Sequence, residues 1–485
     1  MSVPNVPVGR YLSAGGRHAT FGISDFIYRL NEQQIIAKGT TVTSPNLYSL
    51  TEAASMLQAG TISASELMKS CLHRINLRDS VVQAWVSIDH DAALENAEEA
   101  DRAKSRSGEM VGPLSGIPIG IKDIIDVAGM PTAGGTQAYS RRIASADAAC
   151  VAKLKAAGAI IMGKTVTTAF AMGDAGVTTN PWNSAYSPGG SSSGSAAAVA
   201  DRMCMAAIGT QTGGSVIRPS AFNGLAGFKP AHARIDISGV IPLAWQLDHV
   251  GVLTRSVADA HLLWHILRNS GNQHPVKGNG ATLQPSKPQR LWRAREMFET
   301  EASSAMNNAL DAHCQQLRQQ GVEIIERPLP GFEAILDNHR IIMATEAAAS
   351  HTGNYKLRGS LYPPKIKELI EEGLKNTAVD YALAQQHRKN AIAEMNHQLS
   401  DVSGLLSPAT VDAAPLGLES TGDHMFNVPS SYLGLPVVTY PLTLNNNGLP
   451  LGAQIMGCSG SEKGLFESAG WCEQLSGFNQ LPADF

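Results

Sequence analysis

The chain has 485 residues, of which 43% are hydrophobic and 16% charged, enough apolar sequence for a large core and too few charges for a disordered chain. A net charge of −4 without any Lys/Arg cluster argues against a nucleic-acid partner. Six scattered cysteines with no CxxC pair read as reduced thiols of a reducing compartment. The N-terminus lacks the apolar core of a signal peptide, and the uncharged runs 175–200 and 424–461 are broken by Gly, Pro, Ser and Asn. A cytoplasmic, globular protein with no membrane span is therefore expected.

Residues 1–45 fit the rest poorly and read as an N-terminal arm. In it Ser24 could cap a helix over 25–38, and the arm could pack against a second copy in a homodimer. From Ser49 the pattern becomes regular. LTEAASMLQAG and SASELMKSCLHRI are two amphipathic helices, the second capped by Ser63 or Ser65, and HDAALENAEEADRAKSRSG is a third, more exposed one. PLSGIPIGIKDIIDV has an apolar strand pattern holding one lysine. DAACVAKLKAAG followed by AIIMGKT, and SAAAVADRM followed by CMAAIGT, repeat the order helix then strand, as units of an α/β layer fold do. SVADAHLLWHILRN is a further helix and 275–290 a surface connection. From about 293 to 400 the pattern is helical with one strand candidate, GVEIIERP. LLSPAT, LPVVTYPLTL and LGAQIMG supply short strands near the end. The economical reading is one α/β domain over 46–485 with a variable, mostly helical portion at about 285–400 that shapes a pocket.

The stretch 165–217 carries only three charged residues, Asp174, Asp201 and Arg202, and two Gly/Ser loops, PGGSSSGS at 188–195 and GTQTGGS at 209–215. Both loops are flanked by apolar elements, which separates them from flexible linkers. Glycine-rich backbone in such a setting serves close approach, often to a ligand. Neither loop has P-loop or GxGxxG spacing, so a phosphate cradle is not indicated. Gly190 to Gly194 formally matches the GxSxG elbow of conventional esterases and lipases, but no HGGG loop accompanies it. A third chemistry uses an amine as base. A lysine can activate a serine only when neutral, which burial can bring about. Lys122, the first charged group after IPIGI, suits that role, and it equally suits a buried lysine paired with Asp123 or Asp126.

PLSGIPIGIKD, NPWNSAYSPGGSSSGSAAAVA and GTQTGGSVIRPSAFNGLAGFKP together resemble the amidase signature family. LDHVGVLTRSVADA, LLSPAT, LGLPVVTYPLTL and GLPLGAQIMG extend the resemblance over about 49–270 and 404–460. It implies an α/β fold with a large central mixed sheet flanked by helices on both faces. It also implies hydrolysis of a carbonyl C–N bond (an amide, urea-type compound or carbamate) in a small molecule, with neither metal nor organic cofactor. Carried over residue by residue, Ser215 is the nucleophile, Ser191 the relay serine 24 residues before it, preceded by a cis peptide bond, and Lys122 the base. The backbone N–H groups of Thr212, Gly213, Gly214 and Ser215 are the oxyanion hole. An amidotransferase A-type subunit, which would need partner chains, is the alternative from the same family.

The sequence departs from the family pattern at Ser193 (usually Gly), at Gln211 (usually Asp) and at Ala169 (usually Glu). The last leaves a pocket edge more apolar. GTQTGGSVIRP, with its arginine three residues after the nucleophile, resembles the malonamidase and biuret hydrolase branch more than the amidotransferase subunit. In that branch the arginine matching Arg218 binds a substrate carboxylate, as a guanidinium can do bidentately. The alternative is a structural arginine. Met172 is a candidate pocket wall, while Trp182 and Phe426 read as core or rim. His261 and His265 share a helix face but lack the HExxH glutamate and a third ligand, so no metal is expected.

Overall fold

The first helices follow from their caps. The computed structural model describes residues 44–108, 110–173, 176–269 and 282–482, so the helix expected within 25–38 lies outside the described residues. Ser49 with Glu52 and Ser63 with Glu66 form reciprocal capping boxes that open α1 (Leu50–Ala59) and α2 (Ala64–Val82). Between the two candidate caps for α2, the structure selects Ser63. α3 (His90–Ser107) ends on Gly108 in the left-handed conformation, as a glycine after a helix readily does. The remaining helices are α4 (Ala149–Ala156), α5 (Ser193–Ala200), α6 (Ile217–Phe222), α7 (Val257–Leu267), α8 (Met297–Glu301), α9 (Ser304–Gln319), α10 (Phe332–Arg358), α11 (Pro364–Gly373), α12 (Ala378–Gln398), α13 (Val428–Tyr432) and α14 (Glu462–Ser476).

Eleven strands form one mixed sheet in the order β1-β3-β2-β4-β6-β5-β10-β11-β9-β7-β8. They are β1 (Trp85–Ile88), β2 (Pro118–Lys122), β3 (Ile160–Thr165), β4 (Ala206–Gln211), β5 (Ala226–Lys229), β6 (His249–Thr254), β7 (Arg290–Arg295), β8 (Glu323–Pro328), β9 (Leu405–Pro408), β10 (Val437–Leu444) and β11 (Pro450–Met456). β2 pairs in parallel with both β3 and β4, and β7 with β8 and β9, while the other ladders are antiparallel. Every residue of β2, β3 and β4 is buried, which explains why these strands read as continuous apolar runs rather than alternating ones.

Two apolar clusters occupy the two faces. Neighbours such as Leu405 and Leu406, Val437 and Val438, and Ile455 and Met456 fall in opposite clusters, the period-two alternation of a sheet covered on both sides. α2, α5, α7 and α14 supply one layer, and α10, α11 and α12 the other. Pro45–Phe485 is one compact unit. The portion from 285 to 400 holds α8 to α12 as expected, but adds β7 beside the anticipated β8. β1, β5 and β6 were not foreseen as separate strands. Among the described residues no helix is long and apolar enough to cross a membrane.

Candidate active site

Three parallel strands end together. β3 stops at Thr165, β2 at Lys122 and β4 at Gln211, and the loops that follow diverge from one sheet edge. In α/β sheets the crevice outside the carboxyl ends of parallel strands is the usual ligand position. Lys122 is 0% exposed, and its Nζ lies 2.7 Å from Ser191 Oγ and 2.9 Å from Thr210 Oγ1. The carboxylates near it in sequence belong to other cations. Asp123 faces Lys164 at 3.2 Å, and both oxygens of Asp126 are taken by Arg142. Burial pulls the Lys122 amine well below the ordinary lysine range; the charge of Asp248 opposes this and that of Arg218 adds to it.

Ser191 reaches the lysine from the loop that opens α5. The Gly190–Ser191 peptide bond is cis, Gly190 O accepts from Arg218 Nη2 at 2.7 Å, and Ser191 O accepts from the Thr168 N–H at 3.2 Å. A Cβ on Gly194 would lie 2.2 Å from Ala84 O and 2.4 Å from Val166 N, so only glycine lets α5 sit this close to the end of β3. Ser193, where the family has glycine, is buried at the first residue of α5.

Beyond β4 the backbone runs through Thr212, Gly213, Gly214 and Ser215 before α6 begins. Three successive carbonyls are tied. Thr212 O lies 2.9 Å from His339 Nε2, Gly213 O accepts from Ser431 Oγ at 2.6 Å, and Gly214 O accepts from the Arg218 N–H at 2.9 Å. No described residue accepts from the N–H groups of residues 212 to 215. Ser215 is 7% exposed, and its Oγ bonds to no described residue. Gln211 fastens the turn, since its Oε1 accepts from the Val216 and Ile217 N–H groups and its Nε2 donates to Ser431 Oγ. The glutamine thus serves both as acceptor and as donor.

Arg218 is buried. Nη1 donates to Gly422 O at 2.6 Å, and Nη2 donates to Gly190 O and to Thr421 Oγ1 at 3.2 Å, while Nε has no partner among the described residues. Burial lowers its guanidinium to about 10. These bonds join the turn after Ser215 to the peptide before Ser191. Ala169 is buried in the turn after β3, and Phe170 beside it packs on Tyr139, His351 and Tyr362. Met172, half-buried, packs against the cluster that includes Phe170 and Tyr362. Trp182 donates its ring N–H to Asn223 O, and Phe426 is core, packed on Phe298. His261 packs on Phe466, and among the described residues no cluster of three or more His, Cys, Asp or Glu side chains could hold a metal.

Four residues near the loops were not singled out from the sequence. Thr210 and Asp248 stand inside motifs already quoted. Asp248 Oδ1 accepts from Thr212 Oγ1 at 2.5 Å and Oδ2 from the Leu243 and Ala244 N–H groups, and burial pushes its carboxyl up to about 6. His424 lies over the glycines, where a Cβ on Gly213 would come 2.6 Å from its Cδ2; burial and then the Arg218 charge hold its imidazole at about 3. His339, on α10, carried no sequence signal.

The sequence matches the model of the family described as Amidase over residues 66–466. It is 32% identical to the A subunit of a glutamyl-tRNA(Gln) amidotransferase from Desulfotalea psychrophila, over 90% of this chain and 99% of that one. A solved structure described as an amidase is 30% identical with a TM-score of 0.80, over 88% of this chain and 99% of that chain. The native peptide amidase of Stenotrophomonas maltophilia is 26% identical with a TM-score of 0.76, over 90% and 98%. The relatives from Desulfotalea psychrophila and Endomicrobium trichonymphae are amidotransferase A subunits, not malonamidases or biuret hydrolases, so the branch suggested by GTQTGGSVIRP is not the one these relatives represent. With the family model matched over residues 66–466 and a 32% identical relative covered over 99% of its length, the chain belongs to the amidase family.

Proposed function

We propose that this chain is a serine amidase that cleaves a carbonyl C–N bond through an acyl-enzyme on Ser215, with Ser191 as relay and Lys122 as base. The observation that carries the reading is the buried Lys122 amine, bonded to two hydroxyls and, among the described residues, to no carboxylate. An amine held neutral has a lone pair for the Ser191 proton; Ser191 in turn takes the proton of Ser215, whose Oγ forms a bond to the carbonyl carbon. The N–H groups of residues 212 to 215 receive the developing oxyanion. Collapse breaks the C–N bond while Ser191 returns the proton to the departing nitrogen, which is needed because an amide anion is a very poor leaving group. Water then adds to the acyl carbon by the same proton path and frees Ser215.

An uncharged substrate fits this site better than a carboxylated one. A substrate carboxylate would compete with Gly190 O, Gly422 O and Thr421 Oγ1 for the Arg218 guanidinium. The relatives favour a second reading, an amidotransferase A-type subunit that uses the same acyl-enzyme but works with partner chains. Ammonia and amine release from aliphatic amides, anilides, ureas, carbamates and dicarboxylic monoamides separates the two when the purified chain is assayed alone. Release by the wild type that disappears in Ser215→Ala supports the amidase. Release that persists in Ser215→Ala refutes the acyl-enzyme, and silence of the wild type across the whole panel favours the subunit.

A further inference from the structure

The Gly213–Gly214 pair poses a physical problem. Glycine adopts left- and right-handed backbone conformations almost equally, so the peptide planes on either side of it turn with little resistance. An oxyanion hole needs the opposite, donors whose direction is set before the reaction. In a trans peptide the carbonyl of one residue and the N–H of the next point in opposite directions within one plane. Tying the carbonyl therefore aims the following N–H.

Each of the three planes is tied in this way, and from three different elements. Arg218 N–H holds the carbonyl of the Gly214–Ser215 plane, and Ser431 Oγ, on α13, holds that of the Gly213–Gly214 plane. The Thr212–Gly213 plane is held by His339, 2% exposed, from the middle of α10. Burial holds its imidazole down at about 4, so the ring is neutral, and bonding to a carbonyl then requires the proton on Nε2. α10 is itself fixed against the neighbouring loop. Seven and twelve residues on, Glu346 accepts from the Gln246 N–H at 2.9 Å and His351 Nε2 lies 3.1 Å from Pro242 O. The variable helical portion thus reaches the nucleophile loop through a side chain.

We infer that His339 is a positioning residue, which aims the Gly213 N–H at the substrate oxygen by holding Thr212 O. The inference rests on the proposed acyl-enzyme reading and adds to it a role for a helix outside the shared motifs. The test compares His339→Leu, which has no donor, with His339→Gln, whose amide can donate from nearly the same place. Phenylboronic acid is the probe, because its tetrahedral adduct on a serine places an oxygen where the oxyanion forms. Its affinity is measured for the wild type, both variants and Ser215→Ala, alongside kcat and KM on the best amide of the panel. His339→Leu is expected to weaken the boronate and lower kcat by about 10- to 100-fold, below the full loss of an oxyanion donor, with KM changed less than about twofold. His339→Gln is expected to recover most of both.

Boronate affinity and kcat within threefold of wild type in His339→Leu overturn the inference. So does an equal loss in both variants, which would mark a merely structural histidine. Boronate that binds Ser215→Ala as well as the wild type, or fails to bind the wild type, sinks the acyl-enzyme reading and the inference with it. Binding that is lost in Ser215→Ala but unchanged in His339→Leu sinks the inference alone.

Discussion

Replacing Lys122 by methionine should abolish activity and also change how stability depends on pH. In the unfolded chain the amine titrates near 10.5, whereas burial holds it well below that value in the folded protein. Between the folded and the unfolded value the unfolded state binds one more proton. Wild-type stability therefore rises with pH through that window, by up to about 1.4 kcal/mol per unit. If the amine is neutral at neutral pH, folding has released a proton that the unfolded chain holds, a cost that grows as pH falls below the unfolded value. Lys122→Met removes this cost. It also leaves Ser191 Oγ and Thr210 Oγ1 without the amine, a loss of about 1–3 kcal/mol that does not vary with pH. The slope is thus the clean readout. Guanidinium chloride unfolding of both proteins, at half-unit steps from pH 7 to 10, should show the stability difference shifting toward the wild type by about 1.4 kcal/mol per unit. A difference that stays flat over those three units would mean that Lys122 folds protonated, and the general-base assignment would go with it.

Asp248→Asn should be tolerated, because the amide oxygen can keep the Leu243 and Ala244 N–H groups while its NH2 donates to a reversed Thr212 hydroxyl. The carboxyl is raised from 3.8 to about 6, so its stabilising contribution is complete below the lower value and is lost as pH rises through the upper one. Wild type should accordingly lose about 3 kcal/mol relative to Asp248→Asn between about pH 3 and pH 7, read as the difference between their denaturation midpoints. Removing this negative charge should also lower the Lys122 value further and move the acid limb of kcat/KM to lower pH. Gln211→Glu keeps the acceptor for the Val216 and Ile217 N–H groups but loses the donor to Ser431, whose hydroxyl would turn toward the new carboxylate and release Gly213 O. A roughly tenfold lower kcat with little change in KM is expected, and an unchanged kcat would show that Ser431 does not need Gln211 to hold the loop.

The site was legible where its parts are local. A lysine ending an apolar strand, and glycine-rich loops bounded by apolar elements, are visible in any window of a dozen residues, and the motif order placed them in one family. What the sequence left open for Lys122, a pairing with Asp123 or Asp126, is decided by distant partners. Lys164 and Arg142 take those carboxylates, and no pattern around residue 122 announces either. Thr210 meets Lys122 because β2 and β4 run parallel with Ile121 opposite Ile208, a register that depends on the whole sheet. β5 and β6 escaped notice for a related reason. Their segments, AGFK and HVGVLT, are short, interrupted by glycine and buried throughout, so neither alternation nor length distinguishes them. His339 is the extreme case. It occupies an ordinary position on a long helix, and its proposed role follows only from the distant contact of its Nε2 with Thr212 O.

The groups that break the usual rules of burial are gathered at this edge of the sheet. A buried lysine normally has a carboxylate, and backbone amides within a protein normally have acceptors. Here Lys122 has hydroxyls instead, and the amides of residues 212 to 215 donate to no described residue, although their carbonyls are tied from His339, Ser431 and the backbone of Arg218. The asymmetry along that backbone is informative. Were the loop merely loose, carbonyls and amides would lack partners alike. A loop whose carbonyls at 212 to 214 are occupied and whose amides at 212 to 215 donate to no described residue is instead suited to receive negative charge, as the proposed oxyanion hole requires. The neighbouring ionisable groups fit the same purpose. Lys122, His339 and His424 are each driven toward the neutral form by burial, and Arg218 is bonded to carbonyls. Arg218 keeps its charge, but its Nη donors are committed to Gly422 O, Gly190 O and Thr421 Oγ1 rather than free to grip an anionic substrate, and in the proposed reaction the amides gain most where a carbonyl oxygen acquires charge.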